Sequence, residues 1–155
     1  MNIADDETTV LVAEARALSE VVGGDRAAAL ERLAAAVESG PIDDEELVAT
    51  AGEVAALSLE TGRARAVHGP TGVRVLTALW KRSPQGNAVA GELDELNTAL
   101  TSLRGLAVSD VRVAATGPGS FAITIAAGEY EVRLAVDRHG VRLRSINVGS
   151  TGVGE

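Results

Sequence analysis

Four runs of alternating residues in the C-terminal third place the strongest constraint on the fold. They are separated by Gly117-Pro118-Gly119, by Ala127-Gly128 and by 137-DRHG-140, which are rich in residues that suit tight reversals. Alternation with a period of two predicts strands with one buried face. The four runs are 111-VRVAAT-116, 120-SFAITIA-126, 129-EYEVRLAV-136 and 141-VRLRSI-146. We therefore predict a four-stranded antiparallel β-meander.

A consistent register gives this meander one apolar face. Because a shift of one residue would turn a whole strand over, agreement across all four strands is informative. The predicted pairs are Thr116 with Ser120, Val113 with Ile123, Ile125 with Tyr130, Ile123 with Val132, Phe121 with Leu134 and Leu134 with Leu143.

The other face of the predicted sheet is rich in arginine. The predicted register sets Arg133 opposite Arg144, and directly opposed like charges are destabilising. Glu129 and Glu131 on the same face could balance them, or a bound anion or the acidic surface of a partner could. Three arginines are candidate anion-binding residues: Arg112, Arg133 and Arg144.

A leucine stripe precedes the strands. Leu93, Leu96, Leu100 and Leu103 recur at alternating spacings of three and four, which predicts a helix through residues 91–106. The stripe is short for a coiled coil, so we expect the helix to cover the apolar sheet face. The prediction for residues 87–149 is thus a two-layer unit of helix and sheet.

The N-terminal part, residues 1–86, is predicted to be an alanine-rich helical region. Gly23-Gly24, Gly40-Pro41 and Gly62 end three helical stripes, and Asp43 is a candidate cap of the third helix. These helices reach residue 62, and the basic segment 63–86 is expected to be helical too, with its apolar stripe at residues 73–82 after a break at Gly69-Pro70. The whole chain is accordingly predicted to be α+β, with a flexible tail at residues 150–155.

Charge is unevenly distributed along the chain. The net charge is −8, yet residues 1–62 hold 3 basic and 14 acidic side chains, whereas residues 63–155 hold 11 basic and 8 acidic ones. This acidic half disfavours nucleic-acid binding, which usually concentrates positive charge over a face. No apolar run approaches the length of about 18 residues that crosses a bilayer.

The segment 63–86 contrasts with the acidic half because it carries five basic residues and no carboxylate. It could pair with the acidic half in the same chain or in another chain. Tryptophan and arginine are enriched where proteins bind each other. The candidate partner-binding residues are Arg63, Arg65, Arg74, Trp80, Lys81 and Arg82.

Motifs of catalysis and cofactor binding are missing from the sequence. The glycine-bearing stretches lack the spacing of a phosphate loop or a dinucleotide fold, and no serine lies in a nucleophile elbow. His68 and His139 have no partner at ligand spacing, and there is no cysteine. We predict no catalytic residue, no cofactor and no metal site, and a cytoplasmic location.

The functional prediction is a non-catalytic adaptor or assembly subunit that binds protein, as a homo-oligomer or with other chains. An alternative is a module, or an enzyme, that binds a small ligand or anion in the helix–sheet interior or on the arginine face. A nucleic-acid-associated regulator is the third reading.

Overall fold

The structure is a computed structural model that describes residues 1–149, so the tail predicted at residues 150–155 lies outside the described residues. Five helices precede a four-stranded antiparallel sheet, which confirms the predicted α+β class. The helices are α1 Asp5–Ser19, α2 Gly24–Ser39, α3 Glu45–Glu60, α4 Arg63–Arg82 and α5 Pro84–Thr101. The strands are β1 Val108–Gly117, β2 Ser120–Ala127, β3 Tyr130–Asp137 and β4 Gly140–Val148.

The chain divides into two compact units. The first runs from Met1 to Ala88 and contains α1–α4, and the second begins at Val89 and contains most of α5 and the sheet.

The first unit is built around small and medium-sized apolar side chains. Leu11 of α1, Leu33 of α2 and Leu76 and Leu79 of α4 are fully buried, with alanines such as Ala51 between them. Ion pairs between exposed side chains follow the same packing, since Arg26 and Arg32 of α2 pair with Glu53 and Glu46 of α3. The earlier arginine of α2 pairs with the later glutamate of α3, and the later arginine with the earlier glutamate, so these two helices are antiparallel.

Helix boundaries differ from the prediction where capping signals were misassigned. Asp44, rather than Asp43, caps α3, because its carboxylate accepts hydrogen bonds from the backbone N–H groups of Glu46 and Leu47. The predicted start of the fifth helix at residue 91 is wrong. Ser83 accepts from the Gly86 N–H at 3.2 Å and Pro84 occupies the first helical position, so α5 begins seven residues earlier.

The basic segment 63–86 is helical as predicted, since α4 runs through it from Arg63 to Arg82 and so extends beyond the stripe at residues 73–82. The predicted break is also present, because Gly69 has φ 64° and ψ −158° and divides α4 into two segments. A left-handed φ of this kind is readily available only to glycine.

The sheet has the order β1-β2-β3-β4, and its β1–β2 register is the predicted one over most of its length. Val113 lies opposite Ile123, whereas Thr116 is the extra residue of a bulge and Gly117 lies opposite Ser120. Between β2 and β3 the predicted register is wrong by two residues, since Ile123 lies opposite Leu134. The apolar face is unchanged, because side chains alternate with a period of two.

The predicted opposition of Arg133 and Arg144 is also wrong. Leu134 pairs with Leu143 as expected, but a register shift follows and Arg133 lies opposite Ser145. Arg144 is therefore the extra residue of a bulge, where it faces no arginine across the strand pair.

The second unit has a thin core. Only Leu96, Val132 and Leu134 are buried in its main cluster, with Leu100 and Leu103 packed against them. Leu103 lies in the turn after α5, and Leu93 is 41% exposed and does not belong to this cluster. The covering stripe is consequently shorter than the predicted Leu93–Leu103 helix.

Among residues 1–149, none of the helices combines the length and the hydrophobicity that a membrane span requires.

Candidate functional site

A completely buried carboxylate lies in the helical unit. Glu14 of α1 has no exposed surface, although α1 carries a strongly acidic first turn and most of its charges face solvent. A buried charge is costly unless other groups pair with it and hydrogen-bond to it. The surroundings of Glu14 therefore identify the polar centre of this unit.

Three side chains from two other helices surround the Glu14 carboxylate. The Ser58 hydroxyl of α3 donates to Oε2 at 2.6 Å, and Arg63 Nε of α4 donates to Oε2 at 2.9 Å and to Oε1 at 3.2 Å. His68 Nε2 lies 2.9 Å from Oε1. Because an ionised carboxylate can only accept, Nε2 of His68 carries the proton in this contact.

Opposing effects set the pKa of Glu14. Burial by itself raises it, but the hydrogen bonds from Ser58 and His68 and the positive charge of Arg63 outweigh burial. The result is a pKa below the usual value for a glutamate. The carboxylate is thus ionised at neutral pH, and it ties α1, α3 and the first segment of α4 together.

The backbone of α4 fits His68 into this cluster. Gly72 lies one turn further along, and a Cβ built there would come within 2.2 Å of the His68 Cβ and 3.0 Å of the Ala64 carbonyl oxygen. The close approach of the two segments across the break at Gly69 therefore requires a residue without a side chain at position 72.

A pocket of about 460 Å³ opens beside the cluster. Leu18, Leu57 and Val67 supply apolar walls, while Ser58 and Arg63 supply polar groups. Arg63 uses Nε for Glu14, and its side chain is 40% exposed, so the cluster holds a guanidinium at the pocket.

The cluster resembles the parts of an acid–base site, but its hydrogen bonds differ from those of a nucleophilic triad. In a triad the histidine bonds to the nucleophile and the carboxylate orients the histidine. Here both Ser58 and His68 bond directly to Glu14. The arrangement orders three helices around one charge, and it does not activate the serine.

The predicted partner-binding arginines mostly face acidic groups of their own chain. Arg63 pairs with Glu14, Arg74 with Asp6 at 3.4 Å and Arg82 with Glu7 at 2.5 Å. Arg63 at the start of α4 pairs with Glu14 in the second half of α1, and Arg82 at the end of α4 pairs with Glu7 near the start of α1. These two helices are therefore antiparallel. The basic segment thus pairs with the acidic half within one chain at these three positions.

The other predicted partner-binding residues are differently placed. Trp80 is partly buried and packs against the core of the helical unit. Arg65 and Lys81 are exposed, and within residues 1–149 neither forms an ion pair.

Two of the arginines predicted to bind an anion, Arg112 and Arg133, lie on either side of Thr124 on the same face of the sheet. Arg112 pairs with Asp110 of its own strand at 2.6 Å, and Arg133 pairs with Glu131 at 2.9 Å. Arg144 lies in the bulge of β4.

His139 lies exposed in the last hairpin turn, where its backbone N–H donates to the Asp137 carboxylate. Within the described part of the chain, no three His, Asp or Glu side chains gather as metal ligands would.

The feature that sequence reasoning missed is an uncovered part of the apolar sheet face. Val111 and Val113 of β1 are 57% and 67% exposed, and Phe121 beside them on β2 is 44% exposed. The signal was present in the sequence, since a single helix with a short leucine stripe is too narrow to cover four strands.

Neither a protein-family model nor a curated protein nor a solved structure matches the chain.

Proposed function

We propose that this protein is a non-catalytic assembly module that binds another protein chain through the uncovered part of its apolar sheet face. The observation that carries the proposal is the exposure of Val111, Val113 and Phe121, which are neighbours on adjacent strands. Contiguous exposed apolar surface on a folded domain is typical of an interaction site.

The charge arrangement supports the sheet face over the basic segment as the contact surface. Three of the five basic residues between 63 and 86 already face carboxylates of the same chain. A partner competing for them would have to displace those pairs, whereas a partner on Val111 and Val113 gains by removing apolar surface from water.

The experiment is a native mass measurement of the protein purified from the cells that produce it. We expect the wild-type chain to travel with another chain, and Val113→Lys to travel alone. Val21→Lys is the matched control, because Val21 is an exposed valine of the helical unit.

Lys81→Glu separates the two candidate surfaces. If binding uses the sheet face, this variant keeps the partner, and if binding uses the basic segment, it loses the partner. A wild-type chain that travels alone would contradict the assembly function itself.

A second candidate function is the binding of a small amphipathic anion in the pocket beside Arg63. The pocket volume lies within the range of about 300–1,000 Å³ that is usual for ligand sites. Apolar walls from Leu57 and Val67 would take an alkyl chain, and the remaining N–H groups of Arg63 would take a carboxylate.

Decanoate and decanol are suitable probes for this second function. Titration calorimetry should show that decanoate binds more tightly than decanol and that Val67→Asp abolishes the difference. Equal binding of the two probes would exclude a role for the guanidinium.

A further inference from the structure

We infer that the partner is a second copy of this chain, joined antiparallel along the edge strand β1 beside the exposed valines, with Val111 opposite Val111 of the partner subunit. This inference rests on the proposed assembly function and names its partner. The two sheets would become one eight-stranded sheet in which the exposed valines of both copies are neighbours.

The two edges of the sheet differ in their protection against pairing. The edge strand β4 carries Arg142 and Arg144 and no acidic residue, and its pairing to β3 is interrupted by a bulge. Unbalanced charge and bulges are common devices that keep edge strands apart. The edge strand β1 has a bulge at each end, but its register with β2 is regular from Asp110 to Ala115. Within that regular stretch the charges of Asp110 and Arg112 balance each other.

Symmetry restricts how two β1 strands can pair. A two-fold axis perpendicular to the sheet brings two copies of an edge strand into antiparallel contact and keeps their apolar faces on the same side. Each residue then lies opposite a residue of the same face. The axis therefore lies midway between the two copies of one residue, and that residue defines the register.

Charge selects among the registers that symmetry allows. With the axis at Arg112, the two guanidinium groups would face each other, which is destabilising. With the axis at Val111, Asp110 lies opposite Arg112 of the partner subunit, and this pair occurs twice. The carboxylate and the guanidinium are already 2.6 Å apart along one strand, so both groups lie on the same face.

The same register gathers apolar surface across the axis. Val111 meets its own copy, and Val113 flanks it on each side of the axis. The two valines of each copy, more than half exposed in the single chain, become part of a continuous apolar face. Backbone hydrogen bonds between the two β1 strands and side contact between the valines supply the affinity, and the charge pairs set the register.

The test is the dissociation constant of the purified full chain, measured by sedimentation equilibrium with circular dichroism as a check on folding. We expect a dimer for the wild type and a dissociation constant raised at least about tenfold by Arg112→Asp, which sets two pairs of carboxylates against each other. Arg144→Asp on the other edge strand is the matched control and should leave the constant unchanged.

Charge exchange decides the register. The double variant Asp110→Arg with Arg112→Asp restores opposite charges across the axis, so its dissociation constant should return to within about threefold of the wild type. A double variant as weak as Arg112→Asp would overturn the register.

The outcomes separate this inference from the function on which it rests. A folded wild-type chain that stays monomeric at millimolar concentration overturns the self-association. If that monomer still recovers a different, identified protein from its own cells through Val113, the assembly function stands and the second copy is wrong.

Discussion

Arg63 and Glu14, 49 residues apart in the chain, form an ion pair in which the glutamate side chain is fully buried and the arginine side chain is 40% exposed. The buried partner depends on this pair more than the exposed one does, because only the arginine can recover hydration when the pair is broken. This asymmetry determines how variants of the cluster should behave.

Glu14→Gln keeps the shape of the side chain and removes its charge. We expect a loss of about 2 kcal/mol in the free energy of unfolding, below the 3–5 kcal/mol typical of a fully buried pair, because water reaches Arg63. Urea unfolding measures it. Glu38→Gln, which breaks the half-exposed pair with Arg16 at 2.8 Å, should cost less than about 1 kcal/mol. Equal losses for the two variants would show that burial of Glu14 contributes nothing.

The lowered pKa of Glu14 predicts how stability changes with pH. A carboxylate whose pKa is lower in the folded state stabilises the fold above its unfolded pKa, and this contribution disappears as the pH falls through the folded value. The stability difference between wild type and Glu14→Gln should therefore be constant at neutral pH. It should shrink below about pH 4.3, the ordinary glutamate value. A difference that grows in acid would mean that the folded pKa is raised.

The Ser58 hydroxyl donates to the Glu14 carboxylate, so the losses of stability on changing these two residues should not add. Ser58→Ala should cost about 1.5–3 kcal/mol, the range for a hydrogen bond to a charged group. In the Glu14→Gln background the same change should cost at least about 0.5 kcal/mol less, because the charge that strengthens the bond is gone. Additive losses in urea unfolding of the four proteins would contradict a shared centre.

The faces of the strands followed from alternation in the sequence, but alternation alone did not determine the β2–β3 register. Alternation decides which side of a strand is buried, and a slip of two residues leaves that pattern unchanged. The β2–β3 register depends instead on the turn. Gly128 has φ 59° and occupies the first turn position, followed by Glu129, whereas the prediction placed the turn at Ala127-Gly128. A glycine at the first central residue is the mark of a type II′ turn, so this register could have been obtained.

The polar centre around Glu14 was not predictable in the same way. Its residues come from three helices and lie up to 54 positions apart, and nothing in the local sequence distinguishes Glu14 from the other glutamates of the acidic half. Only the helical period hints at it, because Leu11, Ala15 and Leu18 place position 14 on the buried side of α1.

Gly72 is predicted to be required where Gly91 is not. Alanine at 72 would bring its Cβ within 2.2 Å of the His68 Cβ, which is close to the backbone and has little freedom to move, so Gly72→Ala should destabilise the helical unit by about 1–3 kcal/mol. Gly91 lies in α5 with open space around it, so Gly91→Ala should stabilise by roughly 0.5–1 kcal/mol. Thermal unfolding followed by circular dichroism shows whether each variant is less or more stable than the wild type. A stabilised Gly72→Ala would show that α4 can straighten past His68.

The thin core of the second unit predicts an unequal dependence on its leucines. Leu96 is buried against Val132 and Leu134, so Leu96→Ala should leave a cavity and cost about 2–4 kcal/mol. Leu93 is exposed and outside that cluster, so Leu93→Ala should change stability by less than about 0.5 kcal/mol. Hydrogen exchange of the β3 amides in the full chain reports the opening of this core. We expect faster exchange in Leu96→Ala and unchanged exchange in Leu93→Ala. Equal exchange in both variants would mean that α5 does not hold the sheet, because the leucine that touches Val132 would then matter no more than the one that faces water.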